Sequence, residues 1–189
     1  FKVNAFSFFQ TNIKAVERLY SEALALIPDP DAKIVYDLYC GTGTISQLMA
    51  SKAKKVYGIE IVQDSIDAAI DNAKMNGIDN CHFICGDVKA KLDEVTEKPD
   101  MIVVDPPRMG MHDKVVEMLA SYGIEQILYI SCNPNTMAMN LEKFAELGYK
   151  PRVIKAYDNF AKTKHVETVV LLSHKKPDSQ INVKVEFGE

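Results

Sequence analysis

The sequence predicts an α/β fold: a mostly parallel sheet covered by helices on both faces, with an antiparallel hairpin at its C-terminal edge. Three observations carry this expectation. Strand-like runs and helical patterns alternate along nearly all of the 189 residues, the order that builds a parallel sheet with crossover helices. The early strands, such as 34–39 and 101–104, are apolar runs rather than apolar/polar alternations, as required of strands buried on both faces. The last two strands, 152–157 and 166–173, follow one another with no helix between them, so they must run antiparallel.

Each element has a local reason. Thr11 or Asn12 caps a helix to about Leu26, with Val16, Leu19, Tyr20 and Ala23 on one face. Pro28-Asp29-Pro30-Asp31 ends it and turns the chain. The strand at 34–39 leads into Gly41-Thr42-Gly43-Thr44 and a helix to about Ser51. A second strand spans 55–61, and a helix over 64–76 is closed by Gly77. Strand 82–85 ends in Gly86-Asp87, and strand 101–104 ends in Asp105-Pro106-Pro107. A helix over 114–121 precedes the fifth strand, 127–130, and a helix over 135–147 is closed by Gly148. Residues 181–187 alternate like a further strand and then stop.

Composition narrows the class. Hydrophobic residues make up 47% and charged residues 25%, the balance of one globular domain with a substantial core. No apolar run is long enough to span a bilayer as a helix. The net charge of -4 does not announce a nucleic-acid binder, so a nucleic-acid substrate would need a local basic surface or another domain. The four cysteines, at 40, 81, 85 and 132, form no Cys-x-x-Cys pair. They suggest reduced thiols in a cytoplasmic protein rather than a zinc site. An aromatic-rich start without Met and the abrupt end read as a piece cut from a longer protein, with 1–175 one domain and 176–189 an extension.

In such folds ligands sit at the carboxyl ends of the strands, and the chemistry-bearing residues all fall there. Gly41 and Gly43 lie in a strand-to-helix turn, where glycine lets the backbone approach a ligand. The third glycine of the dinucleotide pattern is replaced by Ser46. Glu60, closing the next strand, is placed to accept bonds from ribose hydroxyls, and Asp87 to meet an adenine amino group. NAD and S-adenosylmethionine both suit an acid on a ribose. The missing glycine and the Asp105-Pro106-Pro107 loop favour S-adenosylmethionine, which has no pyrophosphate to cradle. A plain turn and surface carboxylates are the competing readings.

At the other end, Tyr129-Ile130-Ser131-Cys132-Asn133-Pro134 stops an apolar run at a cysteine just before a helix. Unpaired N–H groups at a helix start favour negative charge, so a lowered thiol pKa and a nucleophilic Cys132 are expected. A buried cysteine acting as a small hydrophobe is the alternative.

These pieces together carry a resemblance. Ser131-Cys132-Asn133-Pro134, Asp105-Pro106-Pro107-Arg108-Met109-Gly110 and Thr163-Lys164-His165-Val166-Glu167-Thr168 resemble the RNA 5-methyluridine methyltransferases. So do Asp37-Leu38-Tyr39-Cys40-Gly41-Thr42-Gly43 and Ser7-Phe8-Phe9-Gln10-Thr11-Asn12, the match running from about Phe6 to Ser173. The resemblance implies a Rossmann-like methyltransferase fold and transfer of a methyl from S-adenosylmethionine to carbon 5 of a uridine. The RNA would be rRNA, 23S first, or tRNA. It implies Cys132 as nucleophile and Glu167 as base, with Gln10, Tyr39, Gly41, Thr44, Glu60, Asp87 and Asp105 at the cofactor. Relatives often carry asparagine at positions 44 and 87, and Met-Phe-Pro where this chain has Asn159-Phe160-Ala161. The N-terminal RNA-binding barrel usual in that family and the four-cysteine iron–sulfur site of some members are not among these residues. Three other readings stand beside this one: an Asp-Pro-Pro amino-group methyltransferase, an NAD-dependent oxidoreductase and a non-catalytic RNA-binding domain.

Overall fold

The computed structural model describes residues 13–27, 33–159, 163, 166–174 and 182–186. The expected helix caps Thr11 and Asn12, the 28–31 turn, and Phe9, Gln10, Phe160 and His165 lie outside the described residues.

Six helices and eight strands are described: α1 (Ile13–Ala25), β1 (Ile34–Leu38), α2 (Thr44–Ala50), β2 (Lys55–Glu60), α3 (Gln63–Met75), β3 (Cys81–Cys85), α4 (Val88–Leu92), β4 (Met101–Val104), α5 (Asp113–Ser121), β5 (Gln126–Ser131), α6 (Pro134–Glu146), β6 (Lys150–Tyr157), β7 (Glu167–Ser173) and β8 (Asn182–Glu186). They form one sheet in the order β3-β2-β1-β4-β5-β7-β6-β8. The five strands from β3 to β5 are parallel. β7 runs antiparallel to both β5 and β6, while β8 pairs parallel with β6. The expected mostly parallel sheet with a C-terminal antiparallel hairpin is therefore what forms. Expected boundaries hold to within two residues, and α4 is an addition that sequence periodicity does not reveal.

Side chains of each strand leave alternately for the two faces. On one face Tyr36, Leu38, Ile102, Val104, Ile127, Tyr129, Val170 and Leu172 pack with Val116 and Leu119 of α5 and Phe144 of α6. On the other, Val35, Val56, Met101, Val103, Leu128, Ile130 and Val169 pack with Leu19 of α1 and Met49 of α2. Both faces are apolar, which is why the central strands read as unbroken apolar runs. Fully burying one such Val or Leu contributes about 1.5–3 kcal/mol.

The helix starts are set by small polar groups. Asn133 caps α6 by accepting from the Asn135 N–H at 3.2 Å, with Pro134 in the first helical turn. Asp87 caps α4 by accepting from the Ala90 N–H at 3.2 Å.

The turn from β1 to α2 is tightly packed. Gly43 has φ 77, and a Cβ built there would lie 2.9 Å from both Ala69 Cβ and Phe83. Gly43→Ala is accordingly expected to cost about 2–5 kcal/mol, the sum of a left-handed backbone penalty and an overpacked contact. A urea melt should show a lowered midpoint at unchanged slope.

Candidate active site

The carboxyl ends of the parallel strands make one rim, and the sheet order fixes who meets whom along it. At the cofactor side, β1 ends at Leu38 and Tyr39 follows with φ 66, a left-handed conformation that strains a bulky residue by about 1–3 kcal/mol. The strained turn lets the Tyr39 and Cys40 N–H groups both donate to the Ile59 carbonyl, at 2.9 and 3.1 Å. Glu60, at the end of β2, then reaches across. Its Oε2 accepts from the Gly41 N–H at 3.2 Å and its Oε1 from the Val62 N–H at 3.0 Å. Burial pushes the Tyr39 hydroxyl up to about 12, with the charges of Asp87 and Glu60 adding to the shift. Tyr39, Gly41, Glu60 and Asp87 are thus neighbours, and Thr44 opens α2 at the end of the same turn. Asp87 spends one oxygen on capping α4.

Asp37 is a site feature that sequence reading passed over. It is fully buried in β1. Ser46 Oγ donates to its Oδ2 at 2.5 Å, while Oδ1 is buried with no hydrogen-bond partner. Burial raises its pKa to about 7, the Ser46 bonds oppose the shift and Glu60 adds to it. The consequence for stability has a definite sign. Below about pH 4 the carboxyl is protonated in both states and makes no difference. Between there and pH 7 the unfolded chain ionises first, so the folded state loses about 1.4 kcal/mol for each pH unit. Above pH 7 the loss levels off. Asp37→Asn should therefore melt at a higher temperature than the parent at pH 8, the difference vanishing towards pH 4. Equal melting temperatures at pH 8 would contradict a buried, ionising Asp37.

At the other side of the rim stand Asp105, Cys132 and Glu167. The β5–β7 ladder ends with Ser131 opposite Thr168. Cys132 is the next residue on β5's side and Glu167 the first residue of β7, so antiparallel pairing delivers both to the same end of the sheet. Glu167 is 2% exposed. Asp105 follows β4, whose Val104 pairs with Tyr129 of β5. Burial drives the Asp105 carboxyl well above the usual carboxylate range, and Glu167 and then Asp37 push it further.

Cys132 is half-buried, a free thiol just ahead of the α6 N-cap. The expected lowering of its pKa is not found: the thiol is raised above the ordinary cysteine value. Burial is the first cause, and Glu167 and Asp105 repel the thiolate, while Arg108 and a backbone hydrogen bond oppose them. The helix N-terminus is visible in the sequence, whereas the two carboxylates arrive only through the pairing of β4 and β7 with β5. Gln10 lies outside the described residues. Among the described residues no group of three His, Cys, Asp or Glu side chains could hold a metal ion, and no helix is long and apolar enough to cross a membrane.

A doubly wound sheet with a reversed seventh strand, carrying acids at successive strand ends, defines a Rossmann-like methyltransferase domain. Comparison with known proteins sharpens the class. The family model for tRNA (uracil-5-)-methyltransferase matches residues 1–175, and the chain belongs to that family. An uncharacterized RNA methyltransferase of Clostridium acetobutylicum is 48% identical over 175 residues, covering 93% of this chain and 38% of that protein. One from Caldanaerobacter subterraneus subsp. tengcongensis is 49% identical over 172 residues, covering 91% and 38%. Among solved structures, Pyrococcus abyssi tRNA (uracil-54, C5)-methyltransferase in complex with S-adenosyl-L-homocysteine is similar, with a TM-score of 0.76 and 32% identity. That match covers 90% of this chain and 41% of the other. Precorrin-6y C5,15-methyltransferase of Geobacter metallireducens, 13% identical with a TM-score of 0.72 over 92% of this chain and 94% of that one, shares the fold alone. The chain spans about 38% of the length of these curated relatives.

The family is S-adenosylmethionine-dependent. The residues present fit that cofactor: Oδ1 of Asp37 is a buried acceptor awaiting a donor, and the space above Gly41 is open. Carboxylates along the rim suit a ligand bearing ammonium and sulfonium charges.

Proposed function

We propose that this domain methylates carbon 5 of a uridine in RNA through a covalent bond from Cys132 to the pyrimidine. One observation carries the reading: the antiparallel β5–β7 pairing brings a thiol and a buried carboxylate to one end of the sheet, beside Asp105 and across the rim from the Glu60 turn.

The chemistry needs those two groups. Carbon 5 of uracil is a weak nucleophile. The Cys132 thiolate adds to carbon 6, forming a C–S bond and moving the ring's electron pair into an enolate. When bound, S-adenosylmethionine would supply an electrophilic methyl group and depart, keeping the S–C electron pair, as the neutral thioether S-adenosylhomocysteine. Carbon 5 of the enolate takes that methyl and then carries both it and a hydrogen. Glu167 removes the hydrogen as a proton, the C5=C6 bond re-forms and the thiolate leaves. The raised thiol pKa sets a condition on the first step. A cation bound among Asp37, Glu60 and Asp105 offsets the negative charge around Cys132 and so favours the thiolate.

In this reading Glu60 takes the ribose, Asp87 the adenine side, and Tyr39, Gly41 and Thr44 shape the turn that receives the cofactor. Gln10 and Asp105 complete the path to the base. Reaching a stacked uridine costs about a few kcal/mol of unstacking, and the whole protein's remaining length is where an RNA grip belongs. The target is a uridine of rRNA, with 23S as the first candidate, or of tRNA. Mass spectrometry of cellular rRNA and tRNA after deletion of the full-length gene tests it. Loss of one 5-methyluridine supports the reading, and an unchanged inventory of 5-methyluridine refutes it. Isothermal titration with S-adenosylhomocysteine and NAD separates the oxidoreductase alternative, which predicts tight NAD binding instead.

A further inference from the structure

Asn140 of α6 is 4% exposed and lies one turn and more beyond the helix start that follows Cys132. Its amide makes three hydrogen bonds. Oδ1 accepts from the Tyr129 hydroxyl and from the Met111 N–H, both at 2.8 Å, and Nδ2 donates to the Met111 carbonyl at 2.8 Å. One side chain thus satisfies both backbone groups of Met111, as a paired strand would. The loop before Met111 is seated on the same helix. The Arg108 carbonyl accepts from Asn133 Nδ2 at 2.8 Å and from Thr136 Oγ1 at 3.0 Å. Gly110, at φ 75, has no room for a side chain, since a Cβ would stand 2.9 Å from Asn140 Oδ1 and 3.2 Å from Thr136 Cβ.

We propose that Asn140 is a positioning residue: its clamp on Met111 and Tyr129 fixes the 105–110 loop and thereby holds Asp105 and Arg108 in place against the Cys132 sulfur. A buried amide is costly unless all its bonds are made, and when made they select a single geometry. An apolar residue would fill the space without dictating where Met111 lies. The groups facing the thiol are Glu167 from β7, Asp105 and Arg108 from the loop, and Tyr129 from β5, while Tyr20 of α1 faces Asp105 and Glu167. Of the two loop groups, Asp105 repels the thiolate and Arg108 attracts it, and the Asp105 repulsion is the larger. Loosening the loop therefore removes more repulsion for the thiolate than attraction. The inference rests on the reading of Cys132 as the nucleophile for its meaning in turnover.

The test is the pH profile of alkylation of Cys132 by iodoacetamide, read by peptide mass spectrometry without cofactor or RNA, with Cys85 of β3 as internal reference. Asn140→Ala should move the Cys132 midpoint downward by about half a pH unit or more, speeding its alkylation near neutrality about threefold, and leave the Cys85 profile in place. Tyr129→Phe, which deletes a single hydroxyl, should shift Cys132 in the same direction by less, and it decides the matter if Asn140→Ala does not fold. An unchanged or raised Cys132 midpoint, or equal shifts at both cysteines, would overturn the proposal and leave Asn140 a purely structural residue. Because the readout needs no RNA, failure here is distinct from failure of the methyltransferase reading.

Discussion

Cys132→Ala should eliminate both turnover and any covalent complex with 5-fluorouridine RNA. The expected loss of rate is on the order of 10⁴-fold or more, the scale seen when a covalent nucleophile is removed from a group of residues that act together. The reason is electronic. Carbon 5 becomes nucleophilic only once carbon 6 has been attacked, and no other described cysteine stands on this rim beside Glu167. Cys81 and Cys85 belong to β3 at the far edge of the sheet, and Cys40 is buried in the β1–α2 turn. The experiment uses the full-length protein with its RNA and S-adenosylmethionine, and follows methyl transfer beside a gel for the adduct. Retained activity in the alanine variant would favour the Asp-Pro-Pro amino-group chemistry, which has no use for a thiol.

Glu167→Gln should do something qualitatively different. The thiolate can still add and the methyl can still transfer, but the proton on carbon 5 has no acceptor, so the enzyme stalls as a methylated covalent adduct. Turnover should fall by on the order of 10²–10⁴, the range for losing a general base. A shifted band should accumulate with ordinary uridine RNA, without fluorine. Glutamine is nearly isosteric, and Glu167 sits at a buried strand start paired with Tyr157 of β6, so the fold should survive. A variant that releases product at the parent rate would remove Glu167 from the reaction.

Most of the architecture was legible in the chain because its signals are local. Apolar runs marked β1, β4 and β5, and helix periodicity with the terminal glycines at 77 and 148 bounded α3 and α6. The five-residue α4 was not legible, since it is too short to show a period and is made by the Asp87 cap and the burial of Val88 and Leu92. The rim residues could be named from their positions after strands, yet their electrostatics could not. Whether the Cys132 thiol is raised or lowered depends on carboxylates 27 residues before it and 35 after it. Asn140 and Asp37 were passed over for the same reason. Within α6 an asparagine looks like an ordinary polar position, and within β1 an aspartate looks like an interruption. Only the packing of the 105–111 loop and of Ser46 reveals what each is bonded to.

The strand order has a consequence for how the chain matures. β6 is synthesised before β7 but lies outside it, so β7 must enter between β5 and β6 rather than add to a finished edge. The β6–β7 ribbon therefore docks as a pair, late and over a long stretch of sequence, the kind of step that is slow in folding. Until that docking, the β1–α2 turn and Cys132 can stand at the end of the parallel sheet without Glu167 beside them.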